Sequence, residues 1–77
     1  MPHVMIWHFD TPLTAEEKER LAERIASLVA PAIGSDPGAV SVDLRPVEPS
    51  RWTSAVVEPH IRPRWEQIVR RPTSYEI

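Results

Sequence analysis

The stretch Thr14-Ala15-Glu16-Glu17-Lys18-Glu19-Arg20-Leu21-Ala22-Glu23-Arg24-Ile25-Ala26-Ser27-Leu28-Val29-Ala30-Pro31-Ala32-Ile33-Gly34 decides the fold. Its first four residues spell a capping box, in which Thr14 accepts from the backbone near Glu17 and the Glu17 carboxylate reaches back. An acidic first turn also suits the helix dipole. Leu21, Ile25, Leu28, Val29, Ala32 and Ile33 recur at helical spacing and predict one buried stripe. Lys18, Glu19, Glu23 and Arg24 fall largely outside it. Pro31 should distort the last turn, and Gly34 is a natural stop.

Before the helix, residues 2–9 (Pro-His-Val-Met-Ile-Trp-His-Phe) read as a strand with apolar groups on both faces, which suits a strand covered on both sides. Asp10-Thr11-Pro12 makes the turn. After the helix, Ser35-Asp36-Pro37-Gly38 is a loop, and residues 39–47 read as a second strand. Val40, Val42 and Leu44 share one of its faces; Ser41, Asp43 and Arg45 share the other. Pro46 belongs at a strand end or edge. Strand, helix, strand with short connections implies a right-handed crossover and a parallel pair. Two strands and one helix leave sheet edges and one sheet face bare, and a second subunit is the simplest cover.

The rest of the chain reads as a proline-containing loop, Glu48-Pro49-Ser50-Arg51-Trp52, and a shorter helix from about residue 58 to about 71. Its stripe is Ile61, Trp65, Ile68 and Val69, and Pro72 ends it. The 77 residues suffice for one small domain, 1–77, of α+β class. A chain this short needs extra support. With no cysteine there are no disulfides or thiolate metal sites. His3, His8 and His60 lack metal-ligand spacing, so no metal is assigned. Nine basic against eleven acidic residues carry no nucleic-acid signature. No apolar run is long enough to span a membrane, and no signal peptide is evident. The expectation is a soluble cytoplasmic homo-oligomer. The late cluster of Arg62, Arg64, Arg70 and Arg71 reads as a solvated helix face.

Proline at position 2 opens a chemical possibility. A small second residue commonly permits removal of Met1, which would turn the Pro2 nitrogen from a tertiary amide into a free secondary amine. Such an amine is basic and fixed by its ring.

Met1-Pro2-His3, Leu13-Thr14-Ala15-Glu16-Glu17-Lys18 and the hydrophobic second strand resemble the tautomerase superfamily, typified by 4-oxalocrotonate tautomerase. The similarity is closer to the bacterial phenylenolpyruvate (phenylpyruvate) tautomerase branch. It is carried there by Met1-Pro2-His3 with Phe9, by Val40-Ser41-Val42, by Pro49-Ser50-Arg51-Trp52, and by Ile61-Arg62-Pro63 and Arg71-Pro72. The resemblance implies a β-α-β tautomerase-type protomer with an additional C-terminal helix, its sheet completed by oligomerisation as a homodimer. It implies a cofactor-independent keto–enol isomerase in which the mature N-terminal Pro2 is the general base.

That resemblance makes Trp52 and Phe9 candidates for an apolar wall that lowers the amine pKa. The two arginines with which 4-oxalocrotonate tautomerase holds its diacid are missing here. The first turn reads Asp10-Thr11-Pro12, and Ser41 stands at the second position. A small α-keto or enol monocarboxylic acid therefore fits better than a diacid. Arg45, two pleats beyond Ser41, and Arg51, beside Trp52, are the replacement cations considered. His3 is expected to be structural or interfacial, since it should face away from Pro2. A role for His8 depends on a regular strand. Trp7 and Trp65 read as packing residues. Two alternatives stand beside this reading. One is hydration or dehalogenation of a small unsaturated acid, with Asp43 or Glu48 activating water. The other is a non-catalytic homodimeric binding module.

Overall fold

A computed structural model describes residues 1–74, and the expected sheet and helix are both there. Strand β1 is His3–Phe9, helix α1 is Ala15–Ala32 and strand β2 is Ser41–Val47. The strands run parallel, in register from His3↔Ser41 to Phe9↔Val47. The β-α-β unit read from the sequence is thus the frame of the molecule.

The capping box forms as expected. Glu17 N–H donates to Thr14 Oγ1 at 3.1 Å, and Thr14 N–H donates to Glu17 Oε1 at 2.9 Å. The backbone N–H of Thr14, and then its side chain, hold the Glu17 carboxyl below the usual carboxylate range. At the other end, Ser35 N–H reaches back to the Ala30 carbonyl at 2.8 Å, and Gly34 takes φ +68°, the left-handed geometry that glycine adopts without strain. The expected stripe is rotated. Ala22, Ile25, Ala26, Val29 and Ala30 are the half-buried or buried positions, whereas Leu28 is 75% and Ile33 63% exposed. Alanines at 22, 26 and 30 are four apart, so they share a face and let the helix axis approach the sheet closely. The bulkier Leu21 and Leu28 are left on its flank.

Alternation divides the sheet. Val4 and Ile6 share a face with Val42 and Leu44. Helix α1 lies on that side, since an open cleft runs between its residues Glu16 to Ser27 and Val40 and Val42. His3, Met5, Trp7 and Phe9 share the other face with Ser41, Asp43, Arg45 and Val47. That second face is not wholly bare. Trp7 stacks on His60 with centroids 4.2 Å apart, and Phe9 meets Trp52 edge-on at 5.1 Å. The C-terminal segment is therefore a third layer, covering the far half of the face that the sequence left to a partner.

That segment is helical, with bounds different from those expected. Pro49–Arg51 is a 3₁₀ turn, Thr53–Ile61 winds as a π-helix and Arg62–Gln67 as a 3₁₀ helix. A proline can open an α-helix in its first turn, but Pro59 and Pro63 do not open one here. Both instead lie within the segment, whose departure from α-winding accompanies two missing N–H donors. Ile68 is already extended and Val69 fully exposed, so neither continues the expected stripe. Val56 and Val57, ahead of that stripe, are buried, and with Ala30 they make up the fully buried core of the described residues. The late arginines are partly paired. Arg62 approaches Glu58 at 3.7 Å; Arg71 bonds the Trp65 carbonyl at 2.8 Å and lies over its ring.

Candidate active site

A parallel pair puts both strand starts at one end of the sheet and both strand finishes at the other. The candidate residues divide accordingly. At the starting end, Ser41 N–H donates to the Pro2 carbonyl at 3.1 Å, which ties Pro2 to the second strand. Beside this bond the His3 Nδ1 and the Ser41 Oγ are hydrogen-bonded at 2.6 Å. Pro2 is half-buried, and both His3 and Ser41 are exposed.

At the finishing end stand Phe9, Trp52, Arg45 and Arg51. Phe9 and Trp52 touch each other as a T-shaped pair. Seven residues of strand separate Phe9 from Pro2, about 23 Å at roughly 3.3 Å per residue. Within one protomer, then, the aromatic pair cannot wall the Pro2 nitrogen. Arg45 is also at this end. Its Nε donates to Asp43 Oδ2 at 3.0 Å, an exposed pair of small energetic worth that neutralises the cation locally. Arg51 ends the 3₁₀ turn before Trp52 and, with Pro46, Val47, Glu48 and Ala55, lines a small hollow. The structure thus brings Arg51, Trp52 and Phe9 into one neighbourhood and sets them apart from Pro2.

The remaining histidines and acids take structural places. His8 Nδ1–H donates to the Phe9 carbonyl at 2.6 Å, which fixes the strand end. His60 is committed to Trp7. Asp43 is engaged by Arg45, and Glu48 lies past the end of β2, so within one protomer neither is placed to activate water beside Pro2. Among the described residues no cluster of three or more potential metal ligands occurs, and no helix is long and apolar enough to cross a membrane.

Sequence reasoning missed the His3–Ser41 contact. The signal was available in principle, because strand register alone sets residue 3 opposite residue 41. It was lost because His3 was judged only by the face of its neighbour Pro2. The hydrogen bond that matters runs across the strands.

No family model matches the chain. Curated relatives do. "Tautomerase PptA" of Klebsiella pneumoniae (strain 342) is 40% identical over 72 residues, covering 94% of this chain and 95% of that protein. "Tautomerase PptA" of Pectobacterium carotovorum subsp. carotovorum (strain PC1) is 33% identical over 72 residues with the same coverage. "Tautomerase PptA" of Cronobacter sakazakii (strain ATCC BAA-894) is 30% identical over 77 residues, the full length of both chains.

Proposed function

The chain belongs to the tautomerase family, and on that footing we propose that it isomerises a small α-keto or enol monocarboxylic acid, with Pro2 as its general base. The observation that carries this reading is the Ser41 N–H bond to the Pro2 carbonyl. It anchors at the start of the sheet the very residue that processing would make the terminus, its carbonyl carbon two covalent bonds from the amine nitrogen. With Met1 attached, the Pro2 nitrogen is an amide without a usable lone pair. With Met1 removed, it is a secondary amine in a defined position.

The chemistry follows from that amine. The neutral nitrogen takes the proton from the enol oxygen as the oxygen–carbon bond gains double-bond character. The resulting ammonium returns a proton to the carbon beside the new carbonyl, and the amine is neutral again. No electrons leave the substrate and none are supplied, so no cofactor is required. An α-amino group ordinarily titrates near about 8, and apolar or cationic surroundings bring it closer to working pH.

Those surroundings come from a second copy in this proposal. The sheet has two strands with both edges open, and the fully buried core of the described residues is three side chains. A homodimer with a joined sheet would bring Trp52 and Phe9 of one copy to Pro2 of the other. Arg45 or Arg51 would follow them as substrate-side cations. Residues 1–77 act as one domain in this proposal, and the cysteine-free sequence suits a cytoplasmic setting.

The test is ketonisation of phenylenolpyruvate by protein whose intact mass shows Met1 removed. Wild type should exceed the uncatalysed rate, and Pro2→Ala should lose at least about 100-fold in kcat/KM, the usual scale of general-base catalysis. Equal rates for the two proteins would refute the proline-base reading.

A further inference from the structure

We infer that the His3–Ser41 pair binds the substrate carboxylate beside Pro2; this rests on the proposed tautomerase reading and adds to it an acid-recognition contact at the Pro2 end of the same chain.

The first argument is placement. His3 follows Pro2 directly, and Ser41 is both the strand partner of His3 and the donor to the Pro2 carbonyl. Neighbouring Cα atoms lie about 3.8 Å apart along the chain and paired strands about 4.8 Å apart. The three residues therefore form a patch on the scale of the head of an α-keto acid. The opposite facing of the Pro2 and His3 side chains is no obstacle. The base is a main-chain nitrogen at a strand end and is not confined to the face its own ring occupies.

The second argument is charge. Arg45 spends its charge on Asp43 at 3.0 Å, about 13 Å along the strand from Ser41. Among the described residues no carboxylate lies in salt-bridge range of His3. Acids on the elements around it have partners of their own. Asp43 holds Arg45, and the Asp36 side chain accepts from Gly38 N–H in the loop before β2. On the C-terminal segment, Glu58 pairs with Arg62. An imidazolium at position 3 would thus have its charge free for an incoming anion.

The third argument is the geometry of the pair. In a ring carrying both protons, Nδ1–H donates to Ser41 Oγ, the serine hydroxyl keeps its own proton to give away, and Nε2–H is a second donor. A carboxylate would accept from these groups in place of water. The contact also has little structural purpose, since a hydrogen bond between two exposed side chains adds little to stability.

The test uses Met1-free protein and two ligand pairs: phenylenolpyruvate with its methyl ester for turnover, and phenylpyruvate with its methyl ester for binding. His3→Gln should raise KM for the acid about 10- to 100-fold, the range of a charge-assisted hydrogen bond, with a much smaller change in kcat. Its kcat/KM for the ester should move less than about 3-fold, since the ester presents no anion. His3→Arg should recover most of the acid preference. Binding of the acid and ester to Pro2→Ala, by calorimetry, gives the same comparison without turnover. There, adding His3→Gln should weaken acid binding by the same factor and spare the ester. Equal losses on acid and ester, or no loss on the acid, would overturn the inference. Wild-type activity indifferent to Pro2→Ala would instead refute the general-base reading, with the binding comparison still deciding the pair.

Discussion

Mixing two inactive variants tests the geometry most sharply. Phe9 and Trp52 lie about 23 Å along the strand from Pro2 of their own chain, so a site that needs both ends must borrow one from a second copy. Take Pro2→Ala, which lacks the proposed base, and Trp52→Ala, which lacks the proposed wall. Trp52 is half-buried and held by an edge-on contact with Phe9. Its truncation should cost about 2 kcal/mol of stability, below the cost for a fully buried tryptophan. That loss leaves a folded protein to assay. In the proposed homodimer, equal amounts mixed and re-equilibrated give hybrids as half of the dimers. In each hybrid one site has lost both groups and the other has intact Pro2 facing intact Trp52. Activity should therefore rise to about one quarter of the wild-type value. The assay is enol ketonisation, with each variant measured alone, then together after partial denaturation and refolding. Circular dichroism and sedimentation confirm fold and assembly. Recovery at the level of the sum of the separate variants would refute the shared site, because a site confined to one chain gains nothing from mixing.

Four further outcomes follow from the same structure. Thr14→Ala removes the side-chain half of the capping box and should lower the urea-unfolding stability by about 1 kcal/mol. The capped Glu17 has its pKa lowered by folding. Its contribution is therefore present above the unfolded carboxylate value and disappears as pH falls through the folded one, so Glu17→Gln should destabilise the protein at neutral pH and its unfolding midpoint should converge with that of wild type under acid. Leu28→Glu places a charge on an exposed flank of α1; it should leave helix content unchanged by circular dichroism and shift the unfolding free energy by no more than about 0.5 kcal/mol. Val57→Ala empties a buried position of the C-terminal segment, and a loss of roughly 1.5–3 kcal/mol should appear in the unfolding free energy.

The sequence was most legible where local chemistry and period agree. Thr14 and Glu17 announce the start of α1, Gly34 its end, and the flanking apolar runs leave one economical topology. It was least legible where size competes with shape. Leu21 and Leu28 look more buried than Ala22 and Ala26 on any hydrophobic count, yet a helix nestles on its small residues when the sheet beneath is narrow. The C-terminal segment misled for a different reason. Pro59 and Pro63 can each begin an α-helix, and no α-helical pattern shows in advance that the winding will change to π and 3₁₀ around them. Val56 and Val57 were overlooked because they precede the expected start.

The site shows how far one-dimensional reading reaches. Pro2 and Phe9 are near neighbours in sequence, but a strand is the most extended path between them, so proximity in number became the longest separation the element allows. The parallel pairing then makes the division general. Everything at the start of β1 lies with the start of β2, and everything at the finish lies with the finish. A closed two-fold dimer that joins sheets edge to edge must pair those edges antiparallel. That operation carries the finishing end of one copy to the starting end of the other. In the proposed homodimer the aromatic pair and the arginines of one end, and the proline and the His3–Ser41 pair of the other, would then be two halves that only a second chain brings together. A single substitution at either end removes one group from each site, which is why hybrids of opposite-end variants regain activity and hybrids of same-end variants, such as Pro2→Ala with His3→Gln, should gain none: in every site of such a mixture the damaged starting end belongs to one chain alone.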